Sequence, residues 1–428
     1  MLFSLLLLFF TSFSPILTNA VPNMLPSEAE ALFKIMDSIS SDASWRTSYP
    51  NPCKPGSLWP GIECRLGTDN HLHVSKLYFG TNPNPTCKTT ASFPYQIFHL
   101  PYLQSLFFHN CFTHTRTRLS LPFLSNSSLQ QLSLRSNPSL FGQIPPQISS
   151  LKSLQILTLS QNRLSGPLPA GISWLSALVH IDLSYNVFTG AIPFQLGNLV
   201  NLVGLDLSFN SFTGIIPSSI GQLGMLQKLD LSSNSLVGPI PVSIVKLSSL
   251  TFLALSNNRF RGSFPIGLSK LQNLQYFLMD DNPMNVPLPQ ELGKLVKLQE
   301  LRLANSGYFG AIPSSFTLLI NLSTLSLQDN RLGGEIPAGF GTLSRIYHLN
   351  LSRNLLGGVV PFNSSFFKRL GRNLDLTGNP GLCFNPNQNY NVIGVNVCKT
   401  GSLTKKSQAS HQGFPLFFLF GVLIINCF

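Results

Sequence analysis

The sequence is 428 residues long and has a formal net charge of +12, from 28 Lys and Arg residues against 16 Asp and Glu residues. The basic residues are scattered, with no dense run outside Lys405 and Lys406, whereas nucleic-acid binding requires a concentrated basic stripe. We therefore predict no nucleic-acid partner. The charge is compatible with a basic extracellular protein in acidic surroundings.

The N-terminus has the pattern of a secretory signal. An apolar run from Leu2 to Phe13 is followed by Thr18, Asn19 and Ala20, with small residues at the outer cleavage positions. No Lys or Arg precedes the run, which is atypical, and the alternative is a membrane anchor that stays attached. Because the run is short for a membrane span, we predict a signal peptide over residues 1–20.

A 24-residue repeat occupies the centre of the chain. One unit is LVHIDLSYNVFTGAIPFQLGNLVN, from Leu178 to Asn201, and its neighbours follow the template L-x-x-L-x-L-x-x-N-x-h-x-G-x-I-P-x-x-h-x-x-L, where h is apolar. A period of this length indicates a solenoid, because one unit cannot bury its leucine face alone. The ladder is broken only by Ser306, and its asparagines are Asn162, Asn186, Asn210, Asn234, Asn258, Asn282, Asn330 and Asn354.

Each unit predicts the same local structure. The L-x-L core indicates a short strand with leucines inward and the intervening residues outward. The Asn follows where the chain turns, since a buried amide can donate to and accept from backbone groups that have left the strand. Stacked units then predict about 12 to 13 parallel strands in a sheet on the order of 60 Å long. The ten regular units begin at Leu129, Leu154, Leu178, Leu202, Leu226, Leu250, Leu274, Leu298, Leu322 and Ile346.

Degenerate units and two further motifs flank the regular ones. Irregular units begin at Val74 and Leu103, and a truncated copy begins at Leu374. Residues 27–64 contain EAEALFKIMDSIS and then Trp45, Cys53, Trp59-Pro-Gly and Cys64. The truncated copy leads into GNPGLC, from Gly378 to Cys383, and then Cys398.

These features resemble the plant-type extracellular leucine-rich repeat, whose G-x-I-P segment separates it from other repeat classes. The flanking motifs are similar to the terminal caps of plant receptors. The resemblance implies an α/β solenoid, a right-handed leucine-rich-repeat superhelix with disulfide-bonded caps. We expect an N-terminal cap over residues 21–73, repeats over 74–379 and a C-terminal cap over 380–398. Caps make physical sense because the ends of a solenoid expose apolar edges.

Seven cysteines fit an oxidising compartment. In each of the two expected caps, two cysteines lie close together in the sequence, which indicates a disulfide there. Two further cysteines remain as a third pair. Cys111 also occupies an Asn-ladder position, so its alternative role is a buried substitute without a bridge. Cys427 is the odd cysteine, in the C-terminal tail. The expected pairs are Cys53 with Cys64, Cys383 with Cys398, and Cys87 with Cys111.

The C-terminus combines a polar spacer, residues 399–413, with an apolar tail, FPLFFLFGVLIINCF, over residues 414–428. At about 1.5 Å per residue the tail spans about 22 Å as a helix, against a hydrocarbon core of about 30 Å. Small residues such as Gly401 and Ser402, a spacer and a terminal apolar tail are the pattern of a glycosylphosphatidylinositol signal. The alternative is a thin or tilted membrane span. Both alternatives predict attachment at the outer face of the plasma membrane.

Four Asn-x-Ser/Thr motifs are potential glycan sites in a secreted chain. We expect Asn350 to matter most, because it lies between two inward leucines and points out of the strand face. The four sites are Asn126, Asn321, Asn350 and Asn363.

The sequence shows no catalytic constellation. His71 and His73 are two residues apart, but no carboxylate or cysteine at ligand spacing completes a metal site. Asp182, Asp206 and Asp230 form an outward row, which is typical of a solvated face in repeats that contain LDLS. We therefore predict a binding protein rather than an enzyme, with no catalytic residue, metal or cofactor.

Binding is expected to use outward residues with aromatic, apolar or Arg side chains. Five of them are interpreted as an apolar strip across successive units that core packing does not require: Tyr185, Phe209, Phe252, Tyr276 and Leu278. Glu300 and Arg302 extend this candidate site. The unit from Leu274 replaces the usual G-x-I-P segment, which indicates either a contact site or sequence drift.

Two binding functions follow from the resemblance. The first is a short plant leucine-rich-repeat receptor-like protein without a kinase, which binds an extracellular peptide, glycan or protein on its concave face and signals through a receptor-kinase co-receptor. The alternative is a soluble inhibitor similar to polygalacturonase-inhibiting proteins. Such an inhibitor has no use for the apolar tail, so the sequence favours the first.

Overall fold

The structure is a computed structural model that describes residues 23–54, 56, 59–122, 127–385 and 394–398. The predicted signal peptide, Asn126, the spacer and the apolar tail with Cys427 lie outside these residues. Within the described ranges, no helix has both the length and the apolar character needed to span a bilayer.

The described residues contain three α-helices: α1 Pro26–Ile39, α2 Trp45–Ser48 and α3 Ser364–Leu370. Short 3₁₀ helices recur between the strands, once in most repeat units. They are Tyr95–His99, Pro146–Ser150, Ala170–Trp174, Phe194–Asn198, Ser218–Gln222, Val242–Lys246, Leu268–Lys270, Gln290–Lys294, Ser314–Leu318, Ala338–Thr342 and Gly371–Asn373.

The strands of the described residues alternate between two positions in each unit. In chain order they are β1 Ile62–Leu66, β2 Leu72–Phe79, β3 Ser105–His109, β4 Thr117–Arg118, β5 Gln131–Arg135, β6 Leu140–Gly142, β7 Ile156–Thr158, β8 Arg163–Gly166, β9 His180–Asp182, β10 Val187–Ala191, β11 Gly204–Asp206, β12 Ser211–Gly214, β13 Lys228–Asp230, β14 Ser235–Gly238, β15 Phe252–Ala254, β16 Arg259–Phe260, β17 Tyr276–Leu278, β18 Glu300–Arg302, β19 Phe309–Ala311, β20 Thr324–Ser326, β21 Arg331–Gly334, β22 His348–Asn350, β23 Leu355–Val359, β24 Leu374–Asp375, β25 Gly381–Phe384 and β26 Asn396–Val397.

The first strand of each unit belongs to one 14-stranded sheet, and its solvent-facing side is called the concave face below. Its order is β1-β2-β3-β5-β7-β9-β11-β13-β15-β17-β18-β20-β22-β24. The strands from β2 onward are parallel, and β1 is antiparallel to β2. The predicted fold, a leucine-rich-repeat solenoid, is confirmed.

Leucines and the asparagine ladder hold the units together. Leu205, Leu229 and Leu253 are paired on adjacent strands and are fully buried. Asn186 is buried, and its Nδ2 donates to the carbonyls of Leu159, at 2.8 Å, and Leu183, at 3.1 Å. Its side-chain oxygen accepts the N–H of Leu164 from the preceding unit. The amide thus joins two units, as the sequence predicted.

The G-x-I-P segment turns the chain from the second strand into the 3₁₀ helix. Gly190 has φ of 79°, a left-handed conformation that favours glycine. Pro193 immediately precedes the helix Phe194–Asn198, where a missing N–H costs nothing. The second strands pair into a lateral sheet with the order β16-β14-β12-β10-β8-β6-β4, and a separate one with the order β19-β21-β23-β25-β26. The lateral sheet is interrupted at the unit from Leu274, where an isolated bridge joins Pro287 to Phe309.

Caps cover both ends of the described solenoid. At the N-terminal end, α1 buries Leu32, Ile35 and Met36 in the core and lies beside the 3₁₀ helix Tyr95–His99. At the C-terminal end, α3 begins at the side chain of Asn363, which accepts the N–H of Phe366. The structure contains three disulfides, Cys53 to Cys64, Cys87 to Cys111 and Cys383 to Cys398.

Candidate binding groove on the concave face

Strand register sorts the outward side chains of the concave face into rows. The first row contains the residue that opens each strand: His180, Gly204, Lys228, Phe252, Tyr276 and Glu300. The second row contains the residue that ends each strand: Asp182, Asp206, Asp230, Ala254, Leu278 and Arg302. A side chain in one row therefore lies one strand spacing from the next, about 4.8 Å.

The predicted aromatic strip is two separate pairs. Tyr185 and Phe209 lie beyond the strands, and their rings stack at 4.1 Å with an interplanar angle of 8°. Phe252 and Tyr276 lie in the first row, 5.9 Å apart and tilted by 42°. Lys228 opens the intervening strand, so no aromatic connects the pairs. The prediction of one continuous strip was wrong, because the two pairs occupy different positions within their repeat units.

The Tyr185 and Phe209 pair is exposed in an unusual backbone conformation. Their φ angles are 54° and 52°, a left-handed region that large side chains rarely occupy. Other units place Ser233, Asn257 or Asp281 at the equivalent position. Tyr185 is 49% exposed and Phe209 is 45% exposed, so the core does not require either ring.

A groove of about 200 Å³ connects one aromatic from each pair. Phe209 and Phe252 line it, together with Leu278 from the second row. The same groove is lined by charged and polar side chains, namely Asp230, Ser232, Ser233, Ser256, Asn257, Asp280, Asp281 and Arg302. Apolar walls beside charged groups provide both contact area and orientation for a ligand. Tyr276 and Glu300 open the strands that end in Leu278 and Arg302 but do not line the groove themselves, and Tyr185 lies in the neighbouring unit.

In the aspartate row, one oxygen of each carboxylate has a structural role. Oδ1 of Asp230 accepts the N–H of Ser232 at 3.1 Å and its hydroxyl at 2.6 Å. Asp206 holds Ser208 in the same way. The LDLS sequence therefore closes the strand with an aspartate-to-serine turn. The second oxygen of each carboxylate remains on the concave face.

Two aspartates of the groove region are paired with cations, one from this row and one from the unit that begins at Leu274. Lys228 Nζ lies 2.8 Å from Asp206 Oδ2, and Arg302 Nε lies 2.8 Å from Asp280 Oδ2. Burial lowers the pKa of Lys228, but the hydrogen bond and charge of Asp206 outweigh burial and raise it overall. Burial raises the pKa of Asp280, in spite of a hydrogen bond from the Ala304 N–H and the charge of Arg302. Burial also raises the pKa of Asp230.

His73 is a structural group of the N-terminal cap. It is buried, and its Nδ1 lies 2.6 Å from Glu28 Oε2, while Nε2 lies 3.0 Å from Asp69 Oδ1. Both carboxylate partners were missed in the sequence analysis: Glu28 is 45 residues away in α1, whereas Asp69 is only four residues away and was overlooked. His71 instead contacts the backbone oxygen of Asn23. Among the described residues, no cluster of three potential metal ligands is found.

The irregular unit from Leu274 opens a cleft beside the groove. Asp281, Asn285 and Asn305 line this cleft, which lies where the lateral sheet is interrupted. Asp281 also lines the concave groove, so the cleft and the groove share one side chain. Tyr308 follows Gly307 of the cleft and is fully buried, and its hydroxyl has no hydrogen-bond partner within the described residues. Burial raises the pKa of Tyr308.

Sequence reasoning missed part of the groove. Asp280 and Asp281 were absent from the predicted site, and Asp230 was interpreted only as a solvated face. The signal for Asp280 is its place in the unit, where neighbouring units have Ser232 and Ser256. A third concave aromatic pair was also missed: Tyr78 and Phe107 stack at 5.0 Å near the N-terminal end.

Three of the potential glycan sites are described. Asn321 Nδ2 donates to the carbonyl of Val296 on the surface. Asn350 ends β22 in the second row. Its side-chain oxygen accepts hydrogen bonds from the N–H and the hydroxyl of Ser352, as the aspartates do from their serines. Asn363 caps α3. Glycosylation at these positions stays a prediction.

Similar proteins identify the repeats. A family model described as leucine rich repeat matches residues 176–236 and 200–260, and a second one matches 153–175 and 321–343. Receptor like protein 29 of Arabidopsis thaliana is 63% identical over 166 residues. The chain therefore contains leucine-rich repeats and is similar to a plant receptor-like protein. The match covers 37% of this chain and 36% of the Arabidopsis protein, so it spans about a third of that relative's length.

Solved structures extend the similarity to most of the chain. The structure of PEPR1 with AtPEP1 has a TM-score of 0.70 and 29% identity, over 84% of this chain and 51% of that chain. The plant peptide hormone receptor RGFR1, in complex with RGF2, has a TM-score of 0.60 and 31% identity, over 69% and 53% of the two chains. These values support the solenoid architecture beyond the segments that the family models match.

Proposed function

We propose that this receptor-like protein binds an extracellular peptide or protein on its concave face, at the groove between Phe209 and Arg302. The observation that carries the proposal is the exposed, stacked pair of Tyr185 and Phe209. A large apolar area is held there in a backbone conformation that large side chains rarely adopt, and the core does not use it. Aromatic side chains on a surface dominate binding energy when a partner covers them.

The similar structures support a peptide or protein ligand. RGFR1 is described as a peptide hormone receptor and is in complex with RGF2, and PEPR1 is in complex with AtPEP1. By this similarity the receptor-like protein acts at the cell surface. Signalling then proceeds through a partner, for which a receptor-kinase ectodomain is our candidate.

Removing one ring from each pair tests the proposal. The full chain and its Phe209→Ala/Phe252→Ala variant would be immobilised and exposed to secreted plant peptides and receptor-kinase ectodomains. Truncating buried aromatic anchors costs about 2 kcal/mol or more, so capture should weaken at least about tenfold. Thermal melting and secretion should change little, because both rings lie outside the core.

Two results would overturn this proposal. Unchanged capture by the folded variant would move the site off this groove, to the lateral G-x-I-P edge or the unit from Leu274. Inhibition of a secreted polygalacturonase by the wild type, without capture of any peptide or ectodomain, would instead establish the inhibitor alternative.

A further inference from the structure

The concave groove is acidic, although the chain as a whole is basic. Three aspartates and one arginine line the groove, whereas the chain carries a net charge of +12. Asp182 and Asp206 add two further carboxylates on the neighbouring strands. Lys228 is the cation that pairs with Asp206 there. Because exposed charges are screened over about 8 to 10 Å, a ligand in the groove experiences these carboxylates rather than the distant basic residues.

Lys228 shows how this surface holds a cation. Its Nζ lies 2.8 Å from Asp206 Oδ2 and 5.6 Å from the centre of the Phe252 ring. A carboxylate and an aromatic face thus bind the ammonium together, by an ion pair and a cation–π contact.

Asp230 repeats this arrangement without an ion pair of its own, although the charge of Lys228, two residues away on the same strand, also acts on it. It lies one strand beyond Asp206 in the same row, and both Phe209 and Phe252 line the groove with it. Within the described part of the chain, Asp230 forms no salt bridge, and its hydrogen bonds from Ser232 use Oδ1 only. Oδ2 is therefore the atom on which a ligand cation would be held.

We propose that the groove selects a basic, extended peptide segment, with one Lys or Arg side chain on Asp230 between Phe209 and Phe252. This inference rests on the proposed function and adds the chemical class of the ligand. The carboxylate supplies charge complementarity, which determines specificity and association rate, while the rings supply contact area.

Asp281 supplies the position for a second basic side chain. It is exposed, forms no salt bridge within the described residues, and lines both the groove and the neighbouring cleft. Its unit lies two strands from that of Asp230, about 10 Å across the sheet at about 4.8 Å per strand, and Asp281 is three residues beyond Leu278, the register equivalent of Asp230. An extended peptide advances about 3.3 Å per residue, so its two basic side chains should be about three to four residues apart.

Synthetic peptides on the immobilised full chain test this inference. The probes carry two arginines at increasing separations in a neutral sequence, and matched probes carry citrulline, which has no charge. Binding should be tightest near a separation of three to four residues and weaken about tenfold or more with citrulline. Asp230→Asn/Asp281→Asn should weaken arginine binding similarly. Glu335→Gln, an exposed change that removes one negative charge on the lateral side, should not.

The outcomes separate this inference from the proposed function. Equal binding of arginine and citrulline probes, no binding of either, or unchanged binding by the double Asn variant overturns the basic-peptide inference. If Phe209→Ala/Phe252→Ala still weakens capture of a secreted peptide or ectodomain, the proposed function stands without it. Loss of binding in the double Asn variant with an unchanged melting temperature supports both.

Discussion

At the scale of single residues, buried polar side chains connect parts of the chain that are far apart in sequence. Glu28 of α1 accepts the N–H of Val74 on one oxygen and contacts His73 on the other. Tyr102 stacks on the His73 ring at 3.9 Å. Since buried charge is stable only when it is paired and hydrogen-bonded, this network fixes the cap helix to the first parallel strand.

We predict that the network makes cap stability depend on pH. Burial lowers the pKa of His73, but Asp69 and Glu28 outweigh burial and raise it. A raised pKa stabilises the fold fully below the unfolded value, about 6.5, and this stabilisation is lost as pH rises through the folded pKa. The melting temperature should therefore fall more between mildly acidic and mildly basic pH in the wild type than in His73→Gln. His114→Gln, an exposed control, should follow the wild type.

The hydrogen bond from His73 also lowers the pKa of Asp69. This contribution has the opposite sign, because it is present above the unfolded pKa of the carboxyl group and is lost as pH falls. The two effects therefore occupy separate pH ranges. Parallel pH profiles for wild type and His73→Gln across the neutral range would contradict the assignment.

At the scale of elements, the second strand of each unit is less uniform than the first. β14 pairs with β12 on one side and β16 on the other, whereas the equivalent segment of the unit from Leu274 has only an isolated bridge. In that segment the Met284 N–H donates to Asn282, two residues back, and the Asn285 N–H donates to Ser306 at 3.2 Å. The segment depends on turn contacts rather than on a strand ladder.

We expect this segment to open more readily than its regular equivalents. Amide hydrogen exchange, corrected for intrinsic rates, should be about tenfold faster at Met284 and Asn285 than at Leu236 and Val237, because local opening costs less where ladder bonds are fewer. The comparison uses equivalent positions in one protein, so global stability cancels. Equal protection would show that the interruption carries no loss of local stability.

At the scale of the whole molecule, the stability of each unit depends on its interfaces with the adjacent units. Leu229 is fully buried in β13 and is paired with Leu205 and Leu253 on either side. Stability in such a solenoid is close to a sum of unit and interface contributions. A defect in one unit therefore weakens both adjacent interfaces.

Leu229→Ala should thus cost about 2 to 5 kcal/mol of unfolding free energy, through lost burial and a residual cavity. Limited proteolysis should then cut first near residues 226–250, leaving N- and C-terminal fragments that stay folded. Lys246→Ala, an exposed change in the same unit, is the matched control and should leave both readouts near wild type. Cleavage distributed evenly along the chain would contradict coupling between neighbouring units.

Much of the architecture was predictable from the sequence, because each repeat unit forms the same local structure. Each 24-residue step places equivalent positions side by side, so inward Leu205 and Leu229, the Asn186 ladder and the turn at Gly190 follow from one unit. Outward positions were predictable for the same reason, and Phe252 and Tyr276 are in adjacent strands as expected.

Only the tertiary structure decided the features that differ from one repeat unit to the next. The groove brings Phe209 beside Phe252 from different rows, and Asp280 and Asp281 enter it from a unit that departs from the template. The contact of His73 with Glu28 joins the cap to the repeats, for which no periodicity exists. Repetition fixes neighbours at one spacing, whereas contacts between unlike positions depend on how the stacked units and their caps meet in space.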